Sequence, residues 1–172
     1  MAEDQVHENE SITTRRLLLA AARCFLISLL AMAVCGFLLP MFPFSYMASR
    51  EYFEHSFLYR LVYLQMSITL YRFLYYVSWY LTEGACVMCG LAYNGHTRTG
   101  QIRWNRVSNV DLLAVETSEN VKRAMESWNK TTNHWLRNYV YLRIMPYSSA
   151  TIATVMTYFT SACWHVCTTY SL

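Results

Sequence analysis

The sequence contains few charged residues. Only 15% of its 172 residues are Asp, Glu, Lys or Arg, whereas about a quarter of the residues in an average soluble domain are charged. The hydrophobic fraction is 55%, and the apolar residues are concentrated in long runs instead of alternating along the chain. These features exclude an ordinary soluble domain and indicate a polytopic membrane protein, or a piece of one.

The chain also lacks a strong net charge and a disulfide pattern. The formal charge is only +3 at pH 7, which is too small to indicate nucleic acid as a partner. The 14 Lys and Arg residues are better explained as membrane-flanking charges, which set topology. All six cysteines lie in apolar segments, which is typical of free thiols packed as small hydrophobic side chains.

The N-terminal part predicts a polar tail, residues 1–14, followed by a membrane domain over 15–172. The first span is 17–39, in which Arg23 is the one charged residue. Its length exceeds the roughly 20 residues that cross a hydrocarbon core of about 30 Å. A signal peptide is the rival interpretation, but its apolar region is typically about 7–15 residues, which favours a span here.

A second span is predicted over 57–81. It is rich in tyrosine and interrupted by two arginines and a glutamine, so it is too polar to face lipid all round. A break at Glu83 and Gly84 is expected to separate it from a short apolar half-span near 85–93. A polar, basic loop follows at 94–109.

The distribution of basic residues predicts the orientation. Arg15 and Arg16 precede the first span, and the 94–109 loop carries three arginines, whereas the 41–56 connection has one arginine against two glutamates. Two spans separate the two basic segments, so both lie on the same face. The positive-inside rule makes that face cytosolic.

The C-terminal part predicts an amphipathic helix over 118–144, with Thr117 or Ser118 as its N-cap. A final span, 147–170, follows and carries His165. The predicted fold is therefore all-α, with about three transmembrane helices, a half-span and an amphipathic interfacial helix.

His165 stands out because an imidazole in an apolar helix costs free energy unless it finds a partner. An ordinary histidine pKa of about 6.5 suits a general base. The alternative is a structural histidine that bonds to a neighbouring helix.

The segment from Trp128 to Trp135 is the second candidate. A helix there places Asn129 beside Thr132 and Asn133 on one face. A carboxamide so placed could donate hydrogen bonds to a developing oxyanion. The alternative is a helix end whose side chains satisfy its own polar groups.

Two sequence blocks resemble the membrane-bound O-acyltransferase family, specifically its lysophospholipid acyltransferase branch: SWNKTTNHWLRNYVYLR and TSACWH. That branch carries a WN-x-x-T-x-x-WL-x-x-x-VYLR-like block and then an S-A-x-WH block. Three upstream blocks are similar to the same branch: FLYRLVYLQ, RFLYYVSWYLTEGACVMCGLAYNG and WNRVSNVDLLAVETSENVK. The resemblance covers nearly the whole chain from about residue 15 to 165.

The resemblance implies an endoplasmic reticulum membrane enzyme that transfers an acyl chain from acyl-CoA to a lysophospholipid hydroxyl, with no cofactor. His165 would be the general base, and Asn129 would position the hydroxyl or stabilise the developing charge. Lys130, Arg137 and Arg143 are candidates for contact with CoA phosphates, although interfacial anchoring is the commoner role of such residues. The residues expected to contact substrate are Trp128, Thr132, Asn133 and Trp164.

The chain departs from the family pattern after the WH pair, where a glycine and an aromatic stretch usually follow. It continues instead as VCTTYSL, and it resembles an internal or truncated fragment. The alternative function is a non-catalytic membrane protein that associates with lipid or with a full-length partner. Two cysteine-containing clusters, CVMC and CWHVC, are typical in spacing of zinc ligands, but their apolar surroundings predict no metal site.

Overall fold

The computed structural model of the protein describes the backbone of residues 2–169 and the side chains of residues 14–165. The regular elements in this part are helices, apart from a single antiparallel bridge between His96 and Ile102. The all-α prediction is therefore confirmed. The chain divides into two compact units, Met1–Ser108 and Asn109–Leu172.

Two long helices build the first unit, and they pack along each other. The elements in order are α1 (Ala2–Leu38), two 3₁₀-helices (Leu39–Met41 and Phe44–Ala48), α2 (Arg50–Glu54) and α3 (Phe57–Met88). The polar tail predicted for residues 1–14 is continuous with α1, which begins at Ala2.

The face of α1 that packs on α3 is a stripe of small side chains. Its members recur every three or four residues and are all buried: Ala21, Cys24, Ser28, Ala31 and Cys35. Residues at this spacing share one face of a helix, and small side chains let two membrane helices approach closely. Ser28 Oγ donates to the Val77 carbonyl at 2.8 Å, and Cys35 Sγ donates to the Leu70 carbonyl at 3.7 Å.

Two hydroxyls of α3 bond to the connection between the two long helices. The Tyr63 hydroxyl donates to the Pro43 carbonyl at 3.1 Å, and the Ser67 hydroxyl donates to the Phe42 carbonyl at 3.2 Å. Tyr63 and Ser67 are both buried. The polar character of this helix therefore has a structural use, because its hydroxyls bond to backbone carbonyls of the connection.

The predicted half-span at 85–93 is wrong as a separate element. Helix α3 runs from Phe57 to Met88 and includes Gly84. A Cβ on Gly84 would lie 2.8 Å from Phe25 Cε1 of α1, so this glycine makes room for a neighbouring helix instead of ending its own. The helix ends before Gly90, whose φ of +75° suits glycine.

The polar loop predicted at 94–109 is confirmed: α3 ends at Met88, the next helix begins at Leu112, and the segment between them holds the bridge between His96 and Ile102. Ala92, just before the loop, is fully buried in a cluster with Ala21 of α1.

The second unit consists of short helices followed by one long one. They are α4 (Leu112–Glu116), α5 (Val121–Ser127), α6 (Lys130–Leu136), a π-helix (Arg137–Tyr141), α7 (Leu142–Ile144), a 3₁₀-helix (Met145–Tyr147) and α8 (Ala150–Thr169). Helix α8 packs on the π-helix and on α7. Leu136 and Ala153 are buried.

The single amphipathic helix predicted over 118–144 is also wrong. Thr117 ends α4 instead of capping a helix start. The cap of α5 is Asn120, whose side-chain oxygen accepts from the Arg123 N–H at 2.9 Å. Helix α5 ends at Ser127, Trp128 is extended, and Asn129 is left-handed, with a φ of +49°. A left-handed residue cannot continue a right-handed helix.

One segment among the described residues, Thr14–Ala48, is long and apolar enough by length and composition to cross a membrane. It contains the predicted first span, 17–39. Helix α3 is 32 residues long but contains two arginines and a glutamate. The spans predicted at 57–81 and 147–170 stay predictions.

Candidate active site

Asn129 links α5 to α6 in a conformation that few residues adopt. Its φ of 49° and ψ of 46° are left-handed. Asparagine tolerates this region better than other residues with a Cβ. Strained or unusual backbone positions cluster at functional sites, so the geometry is consistent with a selected position for this side chain.

Asn109, and not Asn129, caps the start of α6. The Asn109 carbonyl accepts from the Lys130 N–H at 2.8 Å, and Asn109 Oδ1 accepts from the Thr131 N–H at 3.1 Å. Within the described part of the chain, the Asn129 carboxamide makes no capping bond and has no other hydrogen-bond partner. The helix end is satisfied without it, which leaves its donors and acceptor for a bound molecule.

The Asn133 side chain has a structural use. Its Nδ2 donates to the Met125 carbonyl at 3.3 Å and to the Trp128 carbonyl at 2.9 Å. These bonds satisfy carbonyls at the C-terminal end of α5. A hydrogen bond therefore links Asn133 to the Trp128 backbone. Contact of these two residues with substrate stays a prediction.

A cavity lies between α6 and α8. Its volume is about 390 Å³, and it is lined by Thr131, Thr132, Trp135 and Trp164. We call it the tryptophan cavity. Thr132 and Trp164 were predicted as substrate contacts, and the structure brings them together across this space. Its size is within the range of small-molecule sites.

Thr131 and Trp135 line the cavity but were not among the predicted site residues. They are four positions apart, so they share the helix face that lines the cavity. Many other pairs of residues in the sequence have the same spacing. Only the position of the facing helix shows which pair lines the cavity.

The two predicted catalytic residues flank the residues of the tryptophan cavity. His165 directly follows Trp164, and the two rings have centroids 5.7 Å apart. Asn129 precedes Thr131 by two residues. Neither Asn129 nor His165 is among the described lining residues of the cavity, so a direct meeting of the two side chains stays a prediction.

A second cavity lies nearby, with a volume of about 520 Å³. Residues of α5, α6, the π-helix and α8 line it, and they include Asn133 and Arg137. We call it the arginine cavity. The π-helix begins at Arg137, and π-helical turns are frequent at functional sites.

Over the residues whose side chains are described, no group of three or more His, Cys, Asp or Glu is placed to hold a metal ion. Cys86, Cys89 and Cys163 are free thiols. Cys167 lies outside the described side chains. The sequence-based expectation of no metal site stays a prediction.

Comparisons with known proteins identify the family. The sequence model of MBOAT, the membrane-bound O-acyltransferase family, matches residues 2–172. The chain is 41% identical over 128 residues to a lysophospholipid acyltransferase of Saccharomyces cerevisiae. The aligned region covers 72% of this chain and 21% of the relative. It is 36% identical over 126 residues to a lysophospholipid acyltransferase of Schizosaccharomyces pombe, which covers 72% of this chain and 25% of that protein.

A plant relative matches a longer part of the chain. Lysophospholipid acyltransferase 2 of Arabidopsis thaliana is 33% identical over 150 residues, with 85% of this chain and 32% of the relative covered. The chain thus spans between 21% and 32% of the lengths of these three relatives. Because the family's sequence model extends over almost all of it, the chain belongs to the membrane-bound O-acyltransferase family.

Proposed function

We propose that this chain carries the acyl-transfer centre of a lysophospholipid O-acyltransferase. The reaction transfers an acyl chain from acyl-CoA to the free hydroxyl of a lysophospholipid. The observation that carries the proposal is the tryptophan cavity, because it is lined by Trp164, which directly precedes His165, and by Thr131, which lies two residues after Asn129. The names of the three relatives support the choice of substrates.

In the proposed mechanism, the neutral imidazole of His165 takes the proton from the glycerol hydroxyl of the lysophospholipid. The hydroxyl oxygen attacks the thioester carbonyl of acyl-CoA and forms a C–O bond. The C–S bond then breaks, and the departing CoA sulfur takes the proton from the imidazolium. General base catalysis of this kind contributes about 10²–10⁴-fold to the rate.

The Asn129 carboxamide supplies hydrogen bonds to the reacting groups. Its N–H groups can donate to the negative charge that develops on the thioester oxygen, or its oxygen can accept from the attacking hydroxyl. Both uses require a side chain that is not consumed by helix capping. The cap provided by Asn109 meets that requirement.

The lining of the tryptophan cavity suits the acyl end of the reaction. The indoles of Trp135 and Trp164 present large apolar surfaces, which exclude water from the thioester. Transfer is direct from one bound substrate to the other, so no acyl-enzyme on serine or cysteine is required.

The proposed setting is the endoplasmic reticulum membrane, with two further spans at 57–81 and 147–170. The basic N-terminal arginines and the 94–109 loop face the cytosol, where acyl-CoA is available. The chain belongs to a membrane-bound family and contains the apolar segment Thr14–Ala48, and both observations support this placement.

The test is acyl transfer from labelled oleoyl-CoA to a lysophospholipid. The protein is expressed from its complete gene in microsomes of a host deficient in this activity. The variants are wild type, His165→Ala, and His134→Ala as a matched control. His134 is an exposed imidazole on α6 that bonds to Asn138 at 3.1 Å.

The proposal predicts that His165→Ala lowers the rate by about 10²–10⁴-fold, while His134→Ala retains it. Activity that survives His165→Ala would end the catalytic assignment. An inactive wild type that still partitions into membranes and associates with lipid or a full-length partner would favour the non-catalytic alternative.

A further inference from the structure

The arginine cavity has the donor groups of an anion site. Arg137 lines it, and the described residues provide this guanidinium with no carboxylate partner. No Asp or Glu is among the described residues that line the cavity. A guanidinium carries five N–H donors and no acceptor, so its hydrogen-bond partners here are an anion or water.

Three hydroxyls in the same cavity are also uncommitted. Tyr141, Tyr158 and Ser161 line it, and the part of the chain that the structure describes offers their hydroxyls no hydrogen-bond partner. Arg137 and Tyr141 are the first and last residues of the π-helix. Tyr158 and Ser161 are three positions apart on α8, so they share one face of that helix.

The other polar groups of the cavity have their donors occupied. The Thr154 and Thr157 hydroxyls donate to carbonyls of their own helix, at 2.8 and 2.7 Å. The Asn133 amide donates to the end of α5. The uncommitted donors are thus one cation and three hydroxyls.

We propose that the arginine cavity binds the phosphate of a substrate, with Arg137, Tyr141, Tyr158 and Ser161 as its donors. This inference rests on the proposed function for the choice of phosphate-bearing ligands. A phosphate is the matching chemistry because it is anionic and accepts several hydrogen bonds, and Arg can bind it in a bidentate manner. Its two possible sources are the phosphodiester of a lysophospholipid and the phosphates of CoA.

The division of labour between the cavities follows from their linings. The tryptophan cavity has two indoles and two threonines, and no charged residue among its described lining. The arginine cavity supplies the charge. An acyl chain therefore fits the first and a phosphate the second, and both cavities involve α6 and α8.

The test is direct binding to the protein expressed from its complete gene and purified in detergent, which does not depend on catalysis. The dissociation constants of lysophosphatidylcholine, CoA and monoacylglycerol are measured with wild type, Arg137→Gln and Tyr141→Phe. Monoacylglycerol has the glycerol and acyl chain but no phosphate. Arg123→Gln is the matched control, because Arg123 is exposed on α5 and is not among the described residues of either cavity.

Arg137→Gln is expected to weaken binding of one phosphate-bearing ligand about tenfold, the order expected for a lost charge-assisted hydrogen bond. Tyr141→Phe weakens the same ligand by a smaller factor. Loss for lysophosphatidylcholine identifies the lipid phosphate, and loss for CoA identifies the nucleotide phosphates. Monoacylglycerol binding is unchanged by both variants.

The proposal is overturned if Arg137→Gln changes neither phosphate-bearing ligand, if it weakens monoacylglycerol equally, or if Arg123→Gln has the same effect. Failure of the proposed function gives a different result. If the protein binds the phosphate ligands through Arg137 but transfers no acyl chain, the phosphate site is supported and the proposed acyltransferase function is contradicted.

Discussion

At the scale of single residues, Asn129 has two properties that are separable by mutation. Its backbone is left-handed, with a φ of 49°. Within the described part of the chain, its carboxamide makes no capping hydrogen bond. Glycine adopts positive φ at no steric cost. Asn129→Gly therefore removes the carboxamide while the backbone is retained.

We expect Asn129→Gly to lower kcat for acyl transfer by about 10²–10³-fold, the cost of one lost donor to a developing oxyanion. The thermal unfolding midpoint in detergent should stay near that of the wild type. Asn129→Ala should lower both, since alanine is strained at positive φ. Equal activity of Asn129→Gly and wild type would remove this residue from the mechanism.

Asn109→Ala tests the cap of α6. It removes the acceptor of the Thr131 N–H, and loss of such a cap costs about 1 kcal/mol. Hydrogen exchange should accelerate at the first amides of α6, while α5 is unaffected. Asn120→Ala is the control, since its side chain caps α5 in the same way. Faster exchange at α5 in Asn109→Ala would contradict the local role.

Residues that stand out by chemistry, such as a histidine in an apolar run, could be predicted from the sequence. Asn109 could not, because its cap joins residues 22 positions apart and no periodic pattern marks such a pair. Asn133 was also predicted to contact substrate; its amide donates to carbonyls at the end of α5, and the contact with substrate stays a prediction.

At the scale of elements, the contact between α1 and α3 depends on small side chains. Ala31 is 4% exposed in that stripe, and Ala33, two residues further on, is exposed. We expect Ala31→Leu to destabilise the protein by about 1–3 kcal/mol through overpacking. Ala33→Leu should be close to neutral. Denaturant unfolding in detergent micelles measures both, and equal effects would contradict this helix pairing.

The lengths of helices were the least predictable feature. Gly84 indicated a break, but the structure places it inside α3 against Phe25. Asn129 lay inside a predicted helix, but it breaks that helix. Some glycines end a helix, and others allow a neighbouring helix to pack closely. The two cases differ in which residues approach the glycine, and a single sequence does not show that approach.

At the scale of the whole molecule, the charge distribution predicts a cytosolic N-terminus and a cytosolic 94–109 loop. Two N-x-Ser/Thr acceptor sequences begin at Asn9 and Asn129. We expect neither to be glycosylated, whereas an acceptor sequence introduced into the 41–56 connection should be. Glycosidase-sensitive mobility on gels measures this. Modification at Asn9 would reverse the proposed orientation.

The family could be predicted from the sequence because its blocks combine unusual residues in a fixed order, and the comparisons confirmed it. The number of spans could not be fixed in the same way. Polar groups in α3 lower its hydropathy, and their partners, such as the Pro43 and Phe42 carbonyls, become visible only in the fold.

The central claim is that Asn129 and His165 act together on one pair of substrates. A double-mutant cycle on kcat/KM for acyl transfer tests it most directly, with Asn129→Gly, His165→Ala and the double variant in the protein expressed from its complete gene. Residues that act as a unit are strongly non-additive. We predict that the double variant loses little more activity than His165→Ala alone. Losses that multiply, as for independent sites, would contradict the account.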